Sequence, residues 1–130
     1  MLYSRLPEIT LSLAMAEFRI YHNPRCSKSR QTLALLQERG VEPEVVLYLE
    51  TPPDRAELES LFAKLGKGPH EVVRRGEDEY KSAGLDKTSS DDAVMDAMLA
   101  HPRLIERPIV VRGDRAVLGR PPENVLELID

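Results

Sequence analysis

The single cysteine of the chain, Cys26, lies among basic side chains in the stretch HNPRCSKSR. His22 precedes it by four residues, and Arg25, Lys28 and Arg30 flank it. Nearby cations stabilise a thiolate, so a thiol in such surroundings is favoured in its ionised, nucleophilic form. The alternative is that Cys26 is a small packing residue, since free cysteine is often buried. The polar and charged neighbours favour the reactive thiolate.

The spacing of the other candidate residues argues against two different uses of this thiol. A dithiol redox site needs Cys-x-x-Cys, and Ser29 occupies the second cysteine position. A metal site needs ligands at a characteristic spacing, and His22, His70 and His101 are scattered along the chain. One cysteine cannot form an internal disulfide, which points to a reducing compartment, and we expect the cytoplasm.

The hydrophobic pattern predicts a strand before Cys26 and a helix directly after it. Residues 17–22 are rich in β-branched and aromatic types, and Asn23-Pro24 interrupts them. The following helix is expected over residues 26–39, with Gly40 at its end. Cys26 is therefore expected at a helix N-terminus, where free N–H groups and the helix dipole favour an anion.

The rest of the chain continues to alternate between strand and helix patterns. A strand is expected at 44–48, and a helix follows Pro52-Pro53-Asp54 and ends at Gly66. A short helix at 70–75 and a loop at 77–88 come next, before a helix with a capping box from Ser89 to Asp92. The last elements expected are a hairpin around Gly113-Asp114 and a closing helix at 120–130. A βαβ unit, a helical insertion and a ββα unit predict an α/β, thioredoxin-like fold, in which helices flank a four-stranded mixed sheet.

Length and charge narrow the possible functions. A chain of 130 residues suffices for one domain. Its 18 Lys and Arg against 22 Asp and Glu give a formal charge of −4, so neither nucleic acid nor a membrane is expected as a partner. Any anion site must be built locally from a few basic residues. Residues 1–15 are interpreted as an extension outside a domain at 16–130, because Glu8 disfavours a signal peptide and Met15 is a candidate start.

The stretch IYHNPRCSKSRQTL resembles the active-site signature of the ArsC-type arsenate reductases, which are coupled to glutaredoxin and glutathione. Three further motifs match that family in order and spacing, namely YLETPP at 48–53, RPIVV at 107–111 and GRPPENVL at 119–126. The resemblance extends over about residues 19–130 and implies the same thioredoxin-like fold. In such folds the proline that follows Arg107 typically has a cis peptide bond and faces the cysteine.

The resemblance also implies the residues of the site. Cys26 would be the nucleophile, and Arg74, Arg107 and Arg120 would bind the arsenate oxyanion, with Arg75 as the alternative to Arg74. Guanidinium groups suit this task, since they form paired charge-assisted hydrogen bonds to tetrahedral oxyanions. The supporting residues implied near the nucleophile, of which the first would help to ionise it, are His22, Asn23 and Ser29.

Catalysis in this family implies external thiols rather than a bound cofactor. Glutathione would be the co-substrate and would form a mixed disulfide with Cys26, and glutaredoxin would be the partner that removes it. Ser29 is compatible with this scheme because it cannot form a competing internal disulfide. No bound cofactor and no metal are expected.

Two features leave other functions open. Ser27-Lys28 stands where well-known members have Gly-Thr, and Arg25 replaces a small residue, so a glutathione-dependent thiol oxidoreductase of another substrate is one alternative. An Spx-like regulatory protein that binds RNA polymerase is another, although such proteins usually carry Cys-x-x-C and have no evident need for three arginines. A phosphatase-type site is excluded, because Thr32 stands where its Cys-x5-Arg motif has the arginine.

Overall fold

The computed structural model describes residues 17–129. The extension expected at residues 1–15 lies outside the described residues, and so do Ala16 and Asp130 at the limits of the expected domain. The proposed domain boundaries therefore stay a prediction.

Four short strands form one mixed sheet. They are β1 (Phe18–Tyr21), β2 (Glu44–Val46), β3 (Ile109–Arg112) and β4 (Arg115–Leu118), in the spatial order β2-β1-β3-β4. β1 runs parallel to β2 and antiparallel to β3, and β3 pairs antiparallel with β4 across the expected hairpin. This topology confirms the predicted four-stranded mixed sheet.

Within residues 17–129, five α-helices surround the sheet together with two 3₁₀ segments. The helices are α1 (Ser27–Glu38), α2 (Arg55–Leu65), α3 (Pro69–Val72), α4 (Asp78–Ser82) and α5 (Asp91–Ala100), and the 3₁₀ segments are Pro102–Leu104 and Pro122–Leu128. α2 begins and ends as its sequence predicts. The Asp54 side chain accepts a hydrogen bond from the Glu57 N–H, and Gly66 ends the helix in the left-handed conformation, with φ 66°.

The short helix expected at 70–75 ends at Val72, and four further details of the predicted elements are wrong. Residues 77–88 were expected to be a loop, but they contain α4, which buries Tyr80 to 8% exposure. The closing helix is 3₁₀ rather than α, which places Val125 and Leu128 on one buried side because this helix has three residues per turn. β2 ends at Val46, before the expected residue 48.

The fourth error concerns the cap of α5. The expected capping box started at Ser89, whereas the residue that caps the helix is Ser90, whose side chain accepts a hydrogen bond from the Ala93 N–H. Ser89 instead accepts from the Asp86 N–H in the preceding turn. Two adjacent serines offer equivalent caps, and the tertiary placement of the turn selects between them.

The sheet is buried on both faces, so consecutive strand residues enter different hydrophobic clusters. Ile20 packs with Leu36, Val110 and Leu128 on one side, whereas Tyr21 packs with the α2 and α5 side chains on the other. This alternation follows from the two-residue period of a strand. Within residues 17–129, none of the helices has the length and apolar character needed to cross a membrane.

Candidate active site

Cys26 occupies the junction between β1 and α1, as predicted. It is the N-cap residue of α1, with extended backbone angles of φ −97° and ψ 123°, and it is partly exposed. Its N–H donates to the Asn23 carbonyl at 3.0 Å, and its carbonyl accepts from the Arg30 N–H at 3.0 Å. The thiol thus lies at the positive end of a twelve-residue helix.

The guanidinium group that reaches the sulfur comes from the far end of the chain. Arg120 Nη1 lies 3.9 Å from Cys26 Sγ and donates to the Arg107 carbonyl at 3.2 Å. The basic residues next to Cys26 in sequence are turned elsewhere or are exposed. Arg30, for example, donates to the Pro24 carbonyl at 2.9 Å. The main contact of the thiol with a cation is therefore long-range.

A close backbone approach brings the Arg120 loop to α1. A Cβ atom added at Gly119 would lie 2.6 Å from Thr32 Oγ1 and 2.8 Å from Pro108 Cγ, so only glycine fits there without displacement of its neighbours. The Gly119 N–H donates to the Pro108 carbonyl at 2.9 Å. The Thr32 hydroxyl donates to the Lys28 carbonyl at 2.8 Å, and its oxygen lies 3.3 Å from the Gly119 carbonyl oxygen. Gly119 therefore joins three segments next to the site.

Both arginines that flank this contact precede cis prolines. The Arg107–Pro108 peptide bond is cis, which confirms the expectation from the resemblance. The Arg120–Pro121 bond is also cis, and the sequence analysis missed it.

Arg107 has two buried side-chain donors in the part of the chain that the structure describes. Its Nε and Nη1 atoms are buried and have no hydrogen-bond partner among residues 17–129. Leaving a buried, charged donor unsatisfied costs free energy, and such groups in folded proteins normally have partners. The geometry of the site thus includes two N–H donors that an anion would satisfy.

Of the two adjacent candidates, Arg74 faces the site and Arg75 does not. Arg74 is partly buried, and its Nη1 lies 2.6 Å from Glu77 Oε1. Its Nε lies 3.5 Å from Glu106 Oε1. Arg75 is exposed and donates to the His70 carbonyl at 3.2 Å. Of these two arginines, Arg74 is therefore the better placed candidate, and its role in binding stays a prediction.

A pocket of about 380 Å³ opens beside these residues, and its lining includes four arginines and one carboxylate. The charged lining residues are Arg25, Arg74, Arg103, Arg107 and Glu77. The lining is therefore strongly positive although the whole chain carries a formal charge of −4. The positive charge of this lining is local, as is expected of any anion site in an acidic chain.

His22 is held beneath the cysteine loop rather than against the sulfur. It is 6% exposed, and its Nδ1 lies 2.6 Å from Ser29 Oγ, which also accepts from the Asn23 N–H at 3.0 Å. Burial, and secondarily the charge of Arg30, lowers the pKa of His22, so the neutral imidazole is favoured. The three supporting residues therefore form one hydrogen-bonded group that shapes the loop.

Two residues of the site were not singled out from the sequence. Tyr48 is buried at 2% exposure and lines the pocket, and burial raises the pKa of its hydroxyl, which keeps it protonated. Glu106 lies between Arg74 and Arg120, and burial raises the pKa of this carboxyl against the opposing effect of both arginines. The available signals were the position of Tyr48 in a family motif and the adjacency of Glu106 to Arg107.

Among the described residues, no three or more His, Cys, Asp or Glu side chains are grouped so that they could hold a metal ion. The residues that converge near Cys26 are mostly guanidinium groups, which bind anions.

Comparison with known proteins agrees with this arrangement. The model of the ArsC family matches residues 21–128. The chain is 56% identical over 115 residues to the uncharacterized protein YfgD of Escherichia coli, covering 87% of this chain and 97% of that protein. It is 51% identical over 113 residues to an arsenate reductase of Neisseria meningitidis, covering 85% and 97% of the two chains.

Solved structures of similar proteins share the fold of this chain. The solved structure of an arsenate reductase from Vibrio cholerae superposes with a TM-score of 0.82 at 52% identity, covering 86% of this chain and 97% of that one. The family match, the sequence identity and the shared architecture lead to one conclusion. The chain belongs to the ArsC family and has its thioredoxin-like fold.

Proposed function

We propose that this protein is an arsenate reductase in which Cys26 attacks an arsenate ion held by Arg74, Arg107 and Arg120. The observation that carries the proposal is the pair of buried, unpartnered Arg107 donors beside the pocket. Membership of the ArsC family and the names of relatives at about half sequence identity support it.

The charges around the pocket suit a tetrahedral oxyanion. Arsenate carries negative charge on several oxygens, and each guanidinium group can donate two parallel hydrogen bonds to it. Arg107 supplies donors that have no partner among the described residues, whereas Arg74 and Arg120 would turn partly from Glu77 and the Arg107 carbonyl toward the ligand. The site therefore favours an anion over a neutral molecule.

The first chemical step is nucleophilic attack by the Cys26 thiolate on arsenic. A sulfur–arsenic bond forms, and one arsenate oxygen leaves as water after it accepts protons. Arsenic remains in the +5 state. Arg120 Nη1, at 3.9 Å from the sulfur, stabilises the thiolate before the attack and the arsenate oxygens after it.

The second step needs a thiol from outside the chain, because Cys26 is the only cysteine. We assign this role to glutathione. Its thiolate attacks the Cys26 sulfur, a disulfide forms, the sulfur–arsenic bond breaks, and its electron pair remains on arsenic, which leaves as arsenite. Two thiols thus supply the two electrons.

Glutaredoxin is the proposed partner that restores the enzyme. Its thiolate attacks the glutathione sulfur of the mixed disulfide and releases the Cys26 thiolate. Ser29, where a second cysteine would stand in a dithiol motif, cannot compete with this external thiol. The need for reduced glutathione is compatible with a cytoplasmic protein, which we also propose.

A coupled assay tests this function. Arsenate-dependent oxidation of NADPH is followed with glutathione, glutaredoxin and glutathione reductase present. Arg107→Ala should weaken arsenate use by roughly tenfold or more, since a contact with a charged group contributes about 1.5–3 kcal/mol. Arg115→Ala, an exposed arginine on β4, is the control and should act like the parent. If NADPH oxidation in the presence of the parent does not depend on arsenate, the proposal is wrong.

A further inference from the structure

One oxygen atom of Glu106 contacts all three arginines of the proposed oxyanion site. Glu106 Oε1 lies 3.5 Å from Arg74 Nε and 3.6 Å from Arg120 Nε, and it accepts a hydrogen bond from the Arg107 N–H at 3.2 Å. These three residues are far apart in sequence, so the shared carboxylate oxygen connects segments that only the fold brings together.

The contacts of Glu106 with Arg74 and Arg120 do not occupy the terminal guanidinium nitrogens. Glu106 contacts Arg74 and Arg120 through their Nε atoms, whereas Arg120 Nη1 is directed to Cys26 Sγ at 3.9 Å. Guanidinium is planar, so a contact at Nε restricts the direction in which the two terminal nitrogens point.

Glu106 is itself held firmly by the backbone. Its N–H donates to the Val72 carbonyl at 2.9 Å, and the Arg74 N–H donates to the Leu104 carbonyl at 2.7 Å. Val73 and Ile105 form a β-bridge between these two bonds. The carboxylate and the first arginine therefore belong to one small hydrogen-bonded unit, with 25% of the Glu106 side chain exposed.

Arg74 and Arg107 line the pocket and Arg120 contacts the Cys26 sulfur, so their like charges repel one another unless an anion lies between them. Glu77 pairs with Arg74 and Arg103, whereas Glu106 contacts both Arg74 and Arg120.

We propose that Glu106 is a positioning residue, which orients Arg74 and Arg120 for the oxyanion and for the Cys26 sulfur. This inference rests on the proposed function and deepens it, since it assigns to the arginine site a residue that acts through the arginines. Its role is orientation through an acceptor oxygen, and its negative charge has the opposite, repulsive effect on a bound anion.

Two pairs of proteins with matched charge separate orientation from charge. Glu106→Gln and Glu106→Ala both lack the negative charge, but only Gln keeps an acceptor oxygen, which the surrounding donors orient toward themselves. The parent and Glu106→Asp both carry the charge, but the shorter side chain withdraws the oxygen. Glu59→Ala, which removes an exposed carboxylate paired with Arg55, is the control.

The measurement is protection of Cys26 from iodoacetamide by arsenate, with neither glutathione nor glutaredoxin present. The reference is the alkylation rate of each protein without arsenate. The arsenate concentration that halves this rate is compared within each pair. We expect half-protection of Glu106→Ala to need roughly ten times more arsenate than that of Glu106→Gln, as for the loss of one contact. Half-protection of Glu106→Asp should need several times more arsenate than that of the parent. The arsenate KM should change by the same factors, with smaller changes in kcat.

A purely structural role gives a different result. It would lower the thermal unfolding midpoint and the active fraction without a change in the half-protecting concentration. Equal half-protecting concentrations within both pairs overturn the inference, and the charged pair decides alone if Glu106→Ala does not fold. If arsenate protects the parent but the pairs do not differ, only the role of Glu106 is wrong. If arsenate does not protect the parent, the proposed function is wrong as well.

Discussion

Arg120 Nη1 lies 3.9 Å from Cys26 Sγ, although the two residues are 94 positions apart in sequence. The same nitrogen donates to the Arg107 carbonyl, so the contact with the sulfur is part of a fixed arrangement rather than of a free surface side chain. A cation at this distance and the N-terminus of α1 both favour the thiolate over the thiol.

The first prediction concerns the reactivity of this thiol. At one fixed neutral pH, iodoacetamide should alkylate Cys26 of the parent faster than Cys26 of Arg120→Ala, because Arg120 Nη1 lies 3.9 Å from the sulfur. Arg115→Ala should react at the parent rate. Equal rates for the parent and Arg120→Ala would mean that Arg120 does not activate Cys26.

The second prediction uses two adjacent arginines as a matched pair. Arg74→Ala should raise the arsenate KM by roughly tenfold, since one charge-assisted contact is lost, whereas Arg75→Ala should leave it near the parent value. Arg74 lines the pocket and Arg75 is exposed. Steady-state kinetics of the three proteins provides the comparison, and an equal effect of both substitutions would reject the assignment of Arg74.

The third prediction concerns the backbone that carries Arg120. Gly119→Ala should lower both stability and arsenate use, because the added Cβ would meet Thr32 and Pro108 at less than 3.0 Å. Overpacking of this kind typically costs about 1–3 kcal/mol. Gly76→Ala is the control, since no atom lies within 4 Å of its added Cβ. Urea unfolding and the coupled assay check the result. Parent-like behaviour of Gly119→Ala would show that the close approach is not required.

The fourth prediction concerns stability at acidic pH. Burial lowers the folded-state pKa of His22, so the unfolded chain binds a proton at a higher pH than the folded protein does. The contribution of neutral His22 is fully present above the unfolded pKa of about 6.5 and is lost as the pH falls through the lowered folded pKa.

His22→Gln removes this titration, and His101→Gln, an exposed histidine, is its control. The free energy of unfolding, measured with urea at a series of pH values, should fall less steeply below about pH 6.5 for His22→Gln than for the parent or His101→Gln. Parallel curves for the two variants would show that His22 does not titrate as its burial implies.

Much of the fold could be predicted because its signals are local. The strand before Cys26, the helix after it and the cap at Asp54 depend on neighbouring residues. The errors occurred where tertiary packing decides. α4 forms in a polar segment because it buries the single aromatic residue Tyr80. The segment has no periodic hydrophobic pattern that would predict this helix.

The predictions of the site residues likewise divide into those that rest on local signals and those that depend on tertiary contacts. Cys26 and its place at a helix N-terminus follow from adjacent residues, and the three arginines followed from separated motifs that resemble a family. The choice of Arg74 over Arg75, the contact of Arg120 with the sulfur and the central place of Glu106 depend on segments that meet only in the folded chain. Sequence spacing carries no information on such distances.

Mass spectrometry of the intact protein, incubated with arsenate and glutathione but without glutaredoxin, tests the central claim most directly. The account predicts one glutathione adduct per chain, located on Cys26 by peptide mapping, that forms only when arsenate is present. Cys26→Ser should form no adduct and reduce no arsenate. The absence of an arsenate-dependent adduct on the parent, or arsenite production by Cys26→Ser, would contradict the account.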